Sequence, residues 1–230
     1  FGDAALRAAR TRDAVVLLVG NHPEGNGGWE IVTSPSEGKE AVDRKAIVLP
    51  PGQEDFVRQM CEANANTIVV LVANFPFAMP WAAANASTIL HMTHASQEQG
   101  NALADVLFGA YNPGGKTTQT WPASLDQLPA MMDYDIRHGR TYMYVRGTPQ
   151  FPFGHGLSYT TFALANLAVS QPSIALADTV TVSVDVTNSG KVDGDEVVQV
   201  YARFVGSPIE RAPKKLVGFA RVTVGAGQTR

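Results

Sequence analysis

Thr67-Ile-Val-Val-Leu-Val-Ala73 is the apolar run whose reading decides the first half of the chain. It suits a strand of a parallel sheet covered on both faces, since neither side then has to meet water. It is far shorter than the ~20 residues that a membrane-spanning helix needs, so a membrane is not an expected partner. Asp13-Ala-Val-Val-Leu-Leu-Val-Gly20 shows the same pattern upstream, and Ser87-Thr-Ile-Leu-His-Met92 reads as a third strand downstream. Helix-like segments separate them. Phe1 to Arg10 opens the chain, Gln53 to Ala63 carries Phe56, Met60 and Cys61 at helical spacing, and Gln97 to Phe108 places Ala102, Leu103, Val106 and Leu107 on a face expected to point inward. Strands alternating with helices imply a parallel sheet wrapped by helices, and the ends of such strands are where ligands bind. Asn74 to Trp81 reads as a kinked connection, and Thr117 to Trp121 as a short strand after the Asn112-Pro-Gly-Gly115 turn.

Past Phe162 the period changes to two. Val180, Val182, Val184 and Val186 alternate with Thr181, Ser183, Asp185 and Thr187, the pattern of a half-buried antiparallel strand. Asn188 to Gly194 reads as a turn, Glu196 to Phe204 as the partner strand and Leu216 to Val224 as another. Short strands with turn signals at this spacing indicate a β-sandwich. The expected divisions are therefore an α/β domain over 1–121, a crossing linker over 122–162 and an all-β domain over 163–230. The first domain is expected to be incomplete at its N-terminus and the last at its C-terminus, as in a piece of a longer polypeptide.

Composition narrows the function. The 230 residues are 45% hydrophobic and 17% charged with a formal net charge of −3, so there is no basic footprint for nucleic acid. The single cysteine, Cys61, excludes an internal disulfide framework and a CxxC metal site, and its helical setting points to packing. Asn112-Pro-Gly-Gly-Lys116 follows a helix and lacks the spacing of a phosphate loop. His91 and His94 have no third ligand at a convincing spacing, so neither a metal nor another cofactor is expected. What stands out is the long polar stretch from Asn21 to Leu49, with Glu37, Glu40 and Asp43 between two well-patterned segments. Loops of that length in a compact domain are usually functional or disordered, and catalytic side chains concentrate on loops carried by a rigid scaffold.

Three stretches then resemble the C-terminal part of glycoside hydrolase family 3, the retaining exo-acting β-glucosidases and β-xylosidases. The first is Glu40-Ala-Val-Asp-Arg44 running into Ile47-Val-Leu-Pro50 and Gln53. The second is Gln97-Glu98-Gln-Gly100 through Gly109, with Tyr111-Asn-Pro-Gly-Gly-Lys116. The third is Gly139-Arg-Thr-Tyr142 followed by Phe151-Pro-Phe-Gly-His-Gly-Leu-Ser-Tyr-Thr-Thr-Phe162. The resemblance implies an α/β sandwich domain followed by a fibronectin type III-like sandwich, with a catalytic (β/α)8 barrel that this chain does not contain. In the family the nucleophilic aspartate lies on that barrel, and the general acid/base glutamate on the domain seen here.

Carried over residue by residue, the resemblance places the acid/base at Glu40, with Glu37 in its Ser-Glu-Gly context as the alternative. Asp43 and Arg44 are implied to be an ion pair or a loop anchor. Glu98 is expected to cap or anchor a helix start, where an anion meets the positive end of the dipole. Trp29 is a candidate to stack on a sugar ring or to anchor the loop, and Asn21 and His22 are candidate rim contacts. The chain departs from the family pattern at His91-Met-Thr-His94-Ala-Ser96, where the family often has an aromatic-proline-glycine sequence. The implied substrates are β-linked oligosaccharides or aryl glycosides with terminal β-D-glucosyl or β-D-xylosyl units, and the implied partner is the barrel of the same protein. A homo-oligomer is compatible with this reading, and a secreted or periplasmic location is favoured over others. The rival reading is a non-catalytic carbohydrate-binding or scaffold module of the same fold.

Overall fold

The computed structural model describes residues 2–21, 38, 43–94 and 97–230. The chain divides into two compact units, one of Phe1–Gln99 with Gln119–Phe153 and one of Gly100–Thr118 with Gly154–Arg230.

The first unit contains helix α1 (Asp3–Ala9), strand β1 (Val15–Gly20), helix α2 (Gln53–Ala63), strand β2 (Thr67–Val72), helix α3 (Pro80–Asn85) and strand β3 (Thr88–Met92). The strands form a parallel sheet in the order β1-β2-β3, with Val15 opposite Thr67 and Ile68 opposite Thr88. As the middle strand, β2 is the most enclosed: Thr67, Val69, Val70 and Leu71 are all fully buried. The core gathers β2 with Val57 and Met60 of α2, Phe77, Met79 and Trp121. β1 departs from its expected double cover. Leu17 and Val19 are buried, but Val16 and Leu18 are exposed, because β1 edges this sheet and only its inward-alternating residues reach the core. Cys61 is half-buried against that core, and burial followed by the neighbouring Glu62 raises its thiol pKa. Its place against the core fits the packing role its helical setting suggests.

Two expectations in this half change. The segment expected as a kinked connection leads into α3, which starts with Pro80 at its first turn, where the missing N–H costs no hydrogen bond. The strand expected over Thr117 to Trp121 is reduced to an isolated antiparallel bridge, Trp121 with Phe151, while Thr117 separately bonds the His155 carbonyl and the Gly154 N–H, each at 2.8 Å.

The second unit takes nearly all of helix α4 (Gln99–Leu107) together with strands β4 (Phe162–Val169), β5 (Val182–Asn188), β6 (Gly194–Ala202) and β7 (Lys215–Val224). A short helix, α5 (Thr141–Tyr144), belongs to the first. The apolar face expected to turn inward on α4 is not buried: Ala102 is exposed and Leu103, Val106 and Leu107 are only half-buried. β4 pairs antiparallel with β5, and β6 with β7. The expected pairing of β5 with β6 is therefore corrected, since Asn188 to Gly194 carries the chain from one sheet to the other instead of folding back as a hairpin.

Asn188 explains the crossing. Fully buried, it donates from Nδ2 to the carbonyls of Val192 (2.8 Å) and Val224 (2.9 Å), while its Oδ1 accepts from Thr160 Oγ1 (2.5 Å) and the Gly190 N–H (3.0 Å). One side chain thus satisfies backbone groups from the crossing and from β7. β7 then turns at Gly225 to Gly227, and Val186 and Arg230 exchange both backbone hydrogen bonds. In β4, Asn166 adopts a positive φ of 52° at a bulge and donates to Asp185 Oδ2 (2.7 Å). Asn tolerates that region better than most residues.

Lys116, from the glycine-rich turn, is occupied within the unit by Glu196 Oε2 (3.1 Å) and the Gly156 carbonyl (2.8 Å). Asp195 accepts from Thr223 Oγ1 (2.7 Å) and Arg221 Nε (2.8 Å), and Arg221 also donates to the Tyr111 hydroxyl (2.6 Å). Those bonds, Thr223 first and Arg221 second, hold the Asp195 carboxyl below the usual carboxylate range. A depressed folded pKa stabilises the fold above the unfolded value, about 3.9, and the contribution disappears as pH falls through the folded value. Asp195→Asn should therefore narrow the gap between urea midpoints measured at pH 7 and at roughly pH 3. An unchanged gap would remove Asp195 as a source of acid sensitivity.

Candidate active site

The C-terminal ends of the three parallel strands lie on one edge of the first unit, and the acid-bearing stretch leaves that edge directly after β1. Gly20 ends β1 with φ of 136°, and a Cβ placed there would come within 2.0 Å of the Val72 carbonyl oxygen. Only glycine lets the two strand ends approach this closely. The Gln53 side-chain amide, from the first turn of α2, reads both backbone groups of Gly20: its Oε1 accepts from the N–H and its Nε2 donates to the carbonyl, each at 2.8 Å. It acts as a neighbouring strand would.

Asn21 follows, 8% exposed, and donates from Nδ2 to the Gly38 carbonyl at 3.0 Å. Its Oδ1 is buried and has no partner among the described residues. Gly38 has φ of 82°, and a Cβ there would meet Phe75 Cζ at 2.8 Å and Arg44 Cδ at 2.9 Å. Arg44 lies over the Phe75 ring, 3.9 Å from its centroid, with Phe77 at 5.0 Å, and donates from Nη1 to the Pro76 carbonyl at 3.0 Å. Burial lowers its guanidinium pKa from the usual range, though arginine remains charged at any working pH. The aromatic face compensates part of the lost hydration.

The segment after β2 that receives Arg44 is itself held. Ala78 donates its N–H to the Ile47 carbonyl (2.7 Å), and the Gln150 amide brackets Phe77 and Met79 by accepting from Met79 N (2.7 Å) and donating to the Phe77 carbonyl (3.2 Å). At the end of β3, the Asn74 side chain accepts from His94 N at 3.0 Å, and His91 bonds the Ala73 carbonyl through Nε2 at 2.9 Å with its ring edge-on to Trp121. A carbonyl partner requires the proton on that His91 nitrogen. His94 Nε2 is buried without a partner among the described residues.

Of the residues singled out from sequence, Asn21, Arg44, Asp43 and Glu98 fall within the description. Asp43 is exposed beside Arg44, and Glu98 immediately precedes α4. Glu40, Glu37, Trp29 and His22 lie outside the described residues. The structure adds Gln53, Gly38, Phe75 and Gln150 to the edge. Gln53 belongs to a stretch that carries the resemblance, but its contact with Gly20 is not marked there, and no local pattern marks Gly38, Phe75 or Gln150, which meets Phe77 across a long stretch of chain.

Residues 2–159 match the glycosyl hydrolase family 3 C-terminal domain, and residues 196–230 match a fibronectin type III-like domain. A beta-xylosidase of Formosa agariphila is 38% identical over 98% of this chain, and a periplasmic beta-glucosidase of Salmonella typhimurium is 34% identical over 99%. Among solved structures, the beta-glucosidase of Kluyveromyces marxianus in complex with glucose superposes with a TM-score of 0.82 at 34% identity, covering 99% of this chain and 27% of that one. The chain spans about 30% of the length of these two curated relatives. On these matches the chain belongs to glycoside hydrolase family 3 and carries its C-terminal domain.

Proposed function

We propose that this chain is the acid/base-bearing part of a retaining exo-β-glycosidase that removes terminal β-D-glucosyl or β-D-xylosyl residues. Glu40 is the general acid/base, with Glu37 as the alternative, and the nucleophilic aspartate is carried by a (β/α)8 barrel. Relatives named beta-xylosidase and beta-glucosidase support the reaction class. The single observation that carries the assignment to this domain is the departure of the acid-bearing stretch from the C-terminal edge of a parallel sheet, where Asn21 is bonded to Gly38, two residues before Glu40 in the sequence.

Retention needs one carboxylate to attack the anomeric carbon and a second carboxyl, ~5 to 5.5 Å away, to protonate the leaving oxygen and later deprotonate water. The acid must hold its proton near neutral pH, which burial or the negative charge of the nucleophile supplies by raising its pKa. A glutamate on a stretch leaving one domain is suited to meet an aspartate on another, because closing the two assembles the pair. Trp29 offers a broad apolar face on which a pyranose ring stacks.

Two measurements test this. The first-formed product from an aryl β-glycoside, followed by proton NMR on the polypeptide that carries this chain with a barrel, should be the β anomer. Residues 1–230 alone should release no aryl alcohol. Turnover by the isolated chain at an ordinary enzymatic rate would overturn the two-domain division of labour.

A further inference from the structure

We infer that Met131, Met132, Tyr134 and Ile136 form a surface on which the barrel of the same polypeptide docks; this rests on the division of labour proposed above. The four stand within six consecutive residues of the first unit, with exposures of 74%, 77%, 77% and 41%. Single apolar residues at a surface are ordinary, but a cluster of large ones marks an interaction site. Methionine and tyrosine are also among the residues enriched where partners meet. The backbone beneath these side chains is firmly held. Arg140 donates from Nε to the Asp133 carbonyl (2.6 Å) and from Nη2 to the carbonyls of Ala130 (2.9 Å) and Met131 (3.1 Å). Asp133 Oδ2 bonds His138 Nδ1 at 2.7 Å, and Asp135 Oδ1 accepts from the Arg137 N–H at 3.0 Å and from its Nε at 2.9 Å. Charged groups therefore alternate with the apolar ones along a fixed stretch, which suits an apolar contact with a polar rim.

The fold points to the occupant. The excursion that carries these residues leaves and re-enters the first unit at the C-terminal edge of the parallel sheet. Trp121, at its start, bridges Phe151 at its end and packs against His91 of β3, while Gln150 brackets Phe77 and Met79 in the segment after β2. Gln127 ties the two arms together, accepting from Ala123 N (2.7 Å) and donating to the Thr148 carbonyl (2.8 Å). The patch is thus rooted at the strand edge from which the chain leaves β1, and it is to this edge that the proposed division of labour brings the barrel. Length agrees. Each of the two curated relatives has most of its chain outside the part matched here, enough to supply a covering domain.

The test uses the polypeptide that carries this chain together with a barrel. Met132→p-benzoylphenylalanine and Tyr134→p-benzoylphenylalanine place a photoreactive ring at two exposed positions, so neither replacement touches the core of this unit. Irradiation followed by peptide mass spectrometry should join each position to a barrel peptide, in a product with the mass of one chain. In the parent, peroxide should oxidise Met131 and Met132 at least about 10-fold more slowly than free methionine in the same tube, because a covered thioether is shielded from the oxidant. A product of twice the chain mass would mean that a second copy covers the patch. Links confined to residues 1–230, or no link together with oxidation as fast as that of free methionine, would mean that the barrel does not. Any of these outcomes overturns the docking surface. The anomer and isolated-chain measurements above judge the reading beneath it. If the first product is the β anomer and residues 1–230 alone are inactive, a failed link removes only the docking surface; an α anomer or an active isolated chain removes the reading whatever the link shows.

Discussion

Glu40→Ala is expected to lower kcat/KM by about 10²- to 10⁴-fold on a β-glycoside with a poor leaving group, while an activated aryl glycoside loses far less in glycosylation. The difference follows from what a general acid contributes. An alkoxide leaving unprotonated is very unfavourable, whereas a nitrophenolate leaves unaided, so the loss tracks leaving-group basicity. The second half of the cycle, attack of water on the glycosyl-enzyme, also loses its base. Azide needs no deprotonation and should restore turnover, giving a β-glycosyl azide of retained configuration. Equal losses on both substrates with no azide product would assign Glu40 a folding or binding role, as in a non-catalytic module. The same variant at Glu37 decides between the two carboxylates.

Asn188→Ala is expected to destabilise the antiparallel unit by roughly 3 to 5 kcal/mol, the largest stability effect anticipated from a single polar residue here. The alanine removes both donors to the Val192 and Val224 carbonyls and the acceptor of the Thr160 hydroxyl and Gly190 N–H, at a fully buried position. Each buried group left without a partner forfeits its desolvation, about 1 to 3 kcal/mol. Because Trp29, Trp81 and Trp121 all belong to the other unit, tryptophan fluorescence would report the wrong one. Amide hydrogen exchange at Val186, whose N–H is bonded to Arg230, is the suitable probe. Protection within about 0.5 kcal/mol of the parent would show that the crossing between the sheets does not depend on this side chain.

The same residue shows where the sequence stopped being readable. Alternating valines marked a strand over residues 180–186, and β5 occupies Val182–Asn188. Which strand it pairs with was not legible, since a short turn-like stretch after a strand usually means a hairpin, and the hydrogen bonds that redirect it come from Thr160 and Val224, far away in the chain. β2 was readable because a middle parallel strand is apolar along its whole length. α3 was hidden because its first turn looks like a proline-rich connection, and a helix of six residues shows too little period. At the site, the acid-bearing stretch was legible only through the resemblance. The amide contacts of Gln53 and Asn21 were not, because an Asn or Gln in a polar stretch looks the same whether it faces water or clamps a backbone.

The pH dependence of kcat/KM, measured in parallel for the parent and for Glu40→Gln, addresses most directly the claim that this domain provides the proton donor. The parent should give a bell, its acidic limb from the nucleophile and its alkaline limb from the donor. The amide variant, unable to ionise, should keep the acidic limb and lose the alkaline one. A bell retaining both limbs in Glu40→Gln would contradict the assignment.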